Sequence, residues 1–216
     1  MSFADIEVDK PTPREPIKAG SHIARCYSVI DLGTQSGDYK GDPYELRKIY
    51  VTWELPGIMK EFDGEMKPQV IGKEYTLSFG EKANLQKDLT SWFAGNEMDG
   101  DMQSWLDRLQ GKACMLNVIH KTSAAGNVYA KITAITPLPN GIECGDQFNP
   151  DFSFELAIKF DNDKFDKIPK FLQEKIIESP EYETLTKARG EDVKPENPIV
   201  SDEDAGLGNE NDDLPF

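Results

Sequence analysis

Hydrophobic and polar residues alternate along several segments of the first 140 residues, and this period of two predicts β-strands. The clearest segment is Leu46–Leu55, whose apolar residues occupy one face of the strand: Ile49, Val51, Trp53 and Leu55. The other predicted strands cover 22–32, 70–79, 112–121 and 127–136. A loop rich in glycine and aspartate is predicted over 33–43, and Pro56-Gly57 is expected to end the second strand.

Between the third and fourth strands the apolar period changes to that of a helix. Two short helices are predicted there, and Gly111 is expected to end the second one. Their tryptophans, Trp92 and Trp105, fall in apolar patterns, as Trp53 does, so we expect all three in the core. Three strands, a helical insert and two strands is the order of a five-stranded OB-type Greek-key barrel, with its helix between strands 3 and 4. Other small barrels and α+β sheets share that order.

The predicted fold class is therefore mainly β with helical additions, and the chain divides into four parts. Residues 1–17 form an extended N-terminal arm, and 18–140 form the OB-like domain. Residues 141–189 form an appended segment with a helix that ends at Ser179-Pro180, and its phenylalanines, Phe148 included, act as apolar anchors. Residues 190–216 are rich in glycine, asparagine and acids, a composition typical of disorder.

Net charge is -15, which by itself argues against nucleic acid as a partner. The charge is unevenly distributed, however. Residues 190–216 carry nine acids and one lysine, whereas residues 18–140 carry fifteen acids and fourteen bases. The predicted barrel is thus nearly neutral and has room for a local basic face.

Motifs of catalysis are absent from the sequence. There is no phosphate-binding loop, no nucleophile elbow and no zinc-protease motif, so we expect neither an enzyme nor a cofactor. The three cysteines are widely spaced, which disfavours a zinc site formed with His120, and no metal is expected. Without an export signal or a long apolar run, the sequence predicts a cytoplasmic protein with no membrane partner.

Four predicted strands each carry a tyrosine two residues from a lysine or arginine. The pairs are Arg25 and Tyr27, Lys48 and Tyr50, Lys73 and Tyr75, and Tyr129 and Lys131. Single-stranded nucleic acid is held by bases stacked on rings and by cations on phosphates, so these pairs predict a binding face. The plainer alternative is that tyrosine is a good strand former beside a solvated lysine. Tyr75 also shares the parity of apolar Ile71, so a core position is open for it.

Two loops add candidates for the same face. Four residues of the first predicted hairpin could form a flap over the groove: Tyr39, Lys40, Tyr44 and Arg47. Lys121 lies near the loop between the fourth and fifth strands, which approaches the ligand in OB barrels.

The chain closes with an apolar tip after a run of acids, and such a tip predicts a docking peg for other proteins. The tip consists of Asp212, Asp213, Leu214, Pro215 and Phe216. It resembles the end of bacterial-type single-stranded DNA-binding proteins. Three further stretches are similar to bacteriophage-encoded proteins of that class: Tyr50–Pro56, Lys73–Ser78 and Ala134–Pro139.

The resemblance implies a protein that coats single-stranded DNA during phage replication, recombination and repair in an infected bacterial cell. It also implies that the tip recruits replication and recombination proteins, with the Phe216 ring in an apolar pocket. The helical insert and the segment 141–189 depart from the bacterial pattern, so tetramer formation does not carry over and homo-oligomerisation stays open. A strand-annealing mediator and an acidic DNA mimic that inhibits a host enzyme are the alternatives.

Overall fold

The computed structural model describes residues 15–62, 64–78, 80–94, 102–156 and 160–189. Five strands form its main sheet: β1 (Gly20–Tyr39), β2 (Asp42–Phe62), β3 (Glu65–Thr76), β4 (Ala113–Thr122) and β5 (Val128–Thr136). They pair antiparallel in the order β3-β2-β1-β4-β5. The sheet curls into a half-barrel, and its end strands β3 and β5 come into contact. The prediction of a mainly β chain is confirmed.

Helices lie in two places along the chain. Between β3 and β4 are α1 (Asn84–Trp92) and α2 (Met102–Asp107). After β5 come a short strand, β6 (Phe152–Phe154), and three helices: α3 (Asn162–Phe165), α4 (Lys170–Ile177) and α5 (Pro180–Arg189). Helix α1 contacts both β3 and β5, the two ends of the curled sheet.

The concave face of the sheet and α1 enclose the barrel core, a cluster of buried apolar side chains. The alternating residues of Leu46–Leu55 all belong to it, together with Trp92 of α1. The Trp53 and Trp92 ring centroids are 5.8 Å apart, and the Trp92 Nε1–H donates to the Ala113 carbonyl at 3.0 Å. Trp105 is buried as well, so the prediction of three core tryptophans is confirmed.

A second apolar cluster lies on the opposite face of the sheet, and we call it the outer cluster. It consists of Ile30, Leu32, Tyr50, Phe154, Leu156, Ile168, Leu172 and Ile176. Strand β6 pairs in parallel with β1 over Ser28–Ile30, beyond the point where β4 stops pairing with β1. The segment after β5 therefore covers the outer face of β1 and β2.

The prediction of a loop over 33–43 is wrong. Strand β1 continues to Tyr39, and a tight turn leads directly into β2. A Cβ on Gly33 would lie 2.6 Å from the Ser179 side chain, and a Cβ on Gly37 would lie 2.3 Å from the Tyr44 ring. These glycines permit close packing within a long hairpin, whereas the sequence pattern had indicated a loop.

Two predicted ends of elements also differ from the structure. Strand β2 passes through Pro56-Gly57 by a bulge between Leu55 and Met59, a site where a strand tolerates proline. Ser179-Pro180 separates two helices, because α5 begins at Pro180. Proline suits the first turn of a helix, where its missing N–H is not needed.

Leu172 is a direct test of the outer cluster. Because its side chain is buried between α4 and the sheet, Leu172→Ala should lower the free energy of unfolding by about 2–5 kcal/mol in urea denaturation. Lys170→Ala, at an exposed position of the same helix, is the control and should change little. Equal effects of the two variants would show that α4 does not pack on the sheet.

Candidate nucleic-acid interface

Tyr50 was expected to be an exposed ring on the predicted binding face, and this expectation is wrong. Its side chain is only 6% exposed, and the Phe171 ring of α4 packs edge-on against it at 5.8 Å. On the other side, a Cβ on Gly72 would lie 2.2 Å from the Tyr50 hydroxyl oxygen. Burial raises the pKa of Tyr50. Because α4 and β3 enclose the ring, a base has no access to it in this structure.

Lys48 forms an ion pair with Glu74, which a lysine of α4 also binds. Its Nζ lies 2.8 Å from Glu74 Oε1, and Lys175 Nζ of α4 lies 2.5 Å from Glu74 Oε2. Burial opposes ionisation of Glu74, but the hydrogen bonds from Lys175 and Lys48 outweigh it and lower the pKa of the carboxyl. Lys48 therefore helps to attach α4 to the sheet, and its charge is already paired.

Arg47 is used in a similar way. Its guanidinium binds buried Asp31, with Nη2 2.5 Å and Nε 3.3 Å from the carboxylate oxygens. The hydrogen bond to Asp31 raises the pKa of Arg47 further. Asp31 also accepts the backbone N–H groups of Gly33 and Leu156, so the pair fixes the segment after β6. The predicted flap cation is thus a structural ion pair.

Tyr75 and Lys73 lie on the concave side of the sheet. Tyr75 is 1% exposed within the barrel core, and its hydroxyl donates to Asp88 of α1 at 2.7 Å. Lys73 Nζ donates to the same carboxylate oxygen at 2.7 Å and lies 4.8 Å from the Tyr75 ring centroid. The alternative left open for Tyr75, a core position, is the correct one. The pair joins β3 to α1.

The pair on the last strand lies in the β4–β5 hairpin. Tyr129 is opposite Lys121, and Lys131 is opposite Ile119. Tyr129 is buried, and its hydroxyl has no hydrogen-bond partner within the described part of the chain. An exposed Tyr129 ring was expected, so that prediction is wrong too. The role of the two lysines stays a prediction.

The tip of the β1–β2 hairpin presents an exposed ring and a cation. Tyr39 is 38% exposed, and Lys40 Nζ lies 5.1 Å from its ring centroid. Lys40 and Gly41 form the turn with φ of 55° and 93°, a conformation that favours glycine at the second position. Tyr44 packs over Gly37 and stiffens the hairpin. Of the predicted flap residues, Tyr39 and Lys40 are thus exposed at the hairpin tip.

Arg25 and Tyr27 lie at the other end of β1, on the outer face. Arg25 donates from Nη1 to the Gly111 carbonyl at 2.8 Å and from Nη2 to the Gly145 carbonyl at 2.9 Å. Tyr27 is half-buried, and burial, followed by the negative charge of Glu54, raises its pKa to about 12. The hydrogen-bond partners of Arg25 are thus uncharged carbonyl groups, whereas Arg47, Lys48 and Lys73 form ion pairs with carboxylates.

Glu54 and Phe148 lie on the outer face of the barrel and were not among the predicted binding residues. Glu54 has no exposed surface, and its carboxylate accepts the backbone N–H groups of Phe148 and Asn149 at 2.9 and 2.8 Å. The Asn149 side chain donates a third bond at 2.7 Å. Phe148, expected to be an apolar anchor, is instead 52% exposed. The polar parity of Glu54 indicated a solvent-facing residue, and no local signal marks the contact with a loop 94 residues away.

The remaining predictions concern metal binding, membrane partners, the cysteines and the apolar tip. Within the described ranges, no group of three or more histidine, cysteine or acidic residues could hold a metal ion, and no helix is long and apolar enough to cross a membrane. Cys26 and Cys114 are buried, and burial raises the pKa of both thiols. The apolar tip, Asp212 to Phe216, lies outside the described residues. No family model matches the chain, and no curated protein is significantly similar to it.

The bridge formed by Lys48, Glu74 and Lys175 gives a pH-dependent prediction. Because the folded-state pKa of Glu74 is below its ordinary value, the carboxylate stabilises the fold above about pH 4. That contribution is lost as the pH falls through the folded-state pKa. Glu74→Gln should therefore cost roughly 1–3 kcal/mol of unfolding free energy at pH 7 and progressively less in acid.

Glu65→Gln is a matched control, since Glu65 pairs with Lys67 on an exposed hairpin. Because an exposed ion pair contributes little to stability, the unfolding free energy of this variant should stay close to that of the wild type at every pH. Urea denaturation across the pH range provides the measurement. A cost of Glu74→Gln that does not shrink in acid would contradict the electrostatic account.

Proposed function

We propose that this chain is a single-stranded DNA-binding protein whose half-barrel is of the OB type. The observation that carries the proposal is the strand order β3-β2-β1-β4-β5, with α1 between β3 and β4 in the chain. This is the order of the five-stranded, partly open OB barrel. Contact between β3 and β5, the strands that close such a barrel, supports the same assignment.

The accessible rings and cations lie where an OB barrel receives its ligand. In that fold, oligonucleotides bind to the face of strands 2 and 3 and to the loops between strands 1 and 2 and between strands 4 and 5. Tyr39 and Lys40 form the tip of the first of these loops. Lys121 lies beside the second, and exposed Val70 lies on the outer face of β3.

In the proposed mechanism two kinds of contact contribute to binding: short-range stacking on bases and electrostatic attraction to phosphates. Rings at the ends of β1 stack on unpaired bases, and nearby cations meet the phosphates. Stacking depends little on base identity, so binding is tolerant of sequence. The protein coats exposed strands during phage replication, recombination and repair, and the tip Asp212–Phe216 recruits partner proteins.

Anisotropy of labelled oligonucleotides tests the proposal as a whole. We expect oligo(dT) to bind more tightly than duplex DNA of the same length, and added salt to weaken it. No binding of oligo(dT) in low-salt buffer would refute the proposal. Faster annealing of complementary strands would assign the mediator alternative.

Tyr39 and Lys40 should affect binding in different ways. Tyr39→Ala should weaken oligo(dT) binding by about 1–3 kcal/mol with the salt dependence unchanged, because it removes stacking. Lys40→Ala should lower the slope of log K against log salt by about 0.7, the value for one phosphate contact on a single strand. The control is Lys187→Ala, whose lysine pairs with Glu183 on α5. If all three variants bind like wild type, the hairpin tip is not part of the interface.

The acidic residues near the end of the chain should compete with DNA. Removing residues 202–216 takes away six acids and no base, which reduces repulsion of a polyanion. We expect tighter oligo(dT) binding at low salt and convergence with the full chain as salt rises. Unchanged affinity at low salt would rule out this competition.

A further inference from the structure

Phe148 carries a solvent-exposed apolar ring, and its backbone is held in place by a hydrogen bond to Glu54. More than half of its surface is exposed, so its own burial contributes little to keeping it in place. Its backbone N–H is instead bound by Glu54, which also accepts hydrogen bonds from the backbone N–H and the side-chain amide of Asn149. A fully buried carboxylate therefore positions the part of the loop before β6 that carries Phe148.

A buried carboxylate is costly unless its oxygens are hydrogen-bonded. Both oxygens of Glu54 are satisfied by donors of the Phe148–Asn149 loop, and these donors carry no charge. Loss of the loop geometry would leave the charge unsatisfied. The backbone position of Phe148 is thus specified strongly, although about half of the residue stays exposed.

Three other side chains surround the same carboxylate on the outer face. Val70 lies directly opposite Glu54 on β3 and is 46% exposed. Arg25 lies opposite it on β1 and also binds the Gly145 carbonyl of the loop. Tyr27 is close enough for the Glu54 charge to act on its phenol. Residues on three neighbouring strands and the Phe148–Asn149 loop thus lie around the Glu54 carboxylate.

The charge of Arg25 separates this place from the rest of the predicted face. Arg47, Lys48 and Lys73 each form an ion pair with a carboxylate, which Lys48 shares with Lys175. The hydrogen bonds of Arg25 go to carbonyl oxygens, and within the described part of the chain its guanidinium forms no direct ion pair, although Glu54 lies opposite it. A cation bound to the loop that carries an exposed ring complements a base attached to a phosphate.

We propose that Phe148 is a stacking platform for an unpaired base of bound DNA, that Arg25 meets an adjacent phosphate, and that Glu54 is the positioning residue. This inference rests on the proposed function and adds a site formed jointly by the barrel and the segment after β5. The occupant is the base of a single strand, since bases in a duplex are already stacked on each other.

A tryptophan at position 148 provides a direct readout. The native tryptophans Trp53, Trp92 and Trp105 are buried, so Phe148→Trp adds an exposed indole whose emission is distinct. Oligo(dT) should quench that emission and protect the indole from acrylamide. The matched control is Ile142→Trp, at another exposed apolar position of the same segment. Acrylamide should quench its indole equally with and without oligo(dT).

Affinity provides the second measurement. Phe148→Ala should weaken oligo(dT) binding roughly 5- to 150-fold, the range for loss of one stacked base, and leave the slope of log K against log salt unchanged. Ile142→Ala should bind like wild type. Glu54→Gln should weaken binding in the wild-type background and add little in the Phe148→Ala background, because it acts through the ring.

The outcomes distinguish this inference from the proposed function. If wild type binds oligo(dT) but Phe148→Ala binds as tightly as Ile142→Ala, the inference is overturned and the proposed function stands. If wild type binds no oligonucleotide in low salt, both are overturned. Unquenched emission from Phe148→Trp with oligo(dT) bound also overturns the inference, even if the ring serves a protein partner. Phe148 is exposed, so its variants should fold and keep the test decisive.

Discussion

Packing of the segment after β5 on the outer face of β1 and β2 is the constraint on which the rest of the structure depends. Val29 belongs to the barrel core, whereas Ile30 and Leu32 belong to the outer cluster, so the middle of β1 is buried on both faces. A cation at the rim of such a surface loses solvent and needs a counter-charge. The ion pairs of Arg47 and Lys48 supply it, and both also hold the covering segment in place.

The same packing explains where exposed rings and cations remain. Strand β1 extends beyond the outer cluster at its carboxyl end, where Tyr39 and Lys40 form the hairpin tip. At its other end β4 replaces β6 as the neighbour of β1, and Arg25 is the last residue paired with β4. The accessible candidates are therefore two separate places at the ends of one strand. A continuous groove of four tyrosines does not exist in this structure.

Local pattern in the sequence was enough to predict the barrel strands, and it was not enough to predict the interface. Ile49, Val51 and Trp53 could be assigned to the core because a period of two specifies facing along a single strand. Tyr50 satisfies the same rule, and its burial by Phe171 depends on a helix more than a hundred residues away. The prediction of a loop at Gly33 was wrong for a related reason. Only a residue without a side chain fits against Ser179 there, and the local composition does not reveal that contact.

The charge balance of the molecule bears on which nucleic acid the proposed sites would suit. A net charge of -15 repels any polyanion, but this repulsion is screened beyond about 8 Å at physiological salt. Arg47, Lys48 and Lys73 are already paired with carboxylates, so they contribute less to offsetting it by phosphate contacts. Affinity would then depend on short-range contacts between rings and bases. Duplex DNA offers phosphates but hides the faces of its bases, whereas a single strand exposes both, so this surface chemistry favours single strands without a recognition helix.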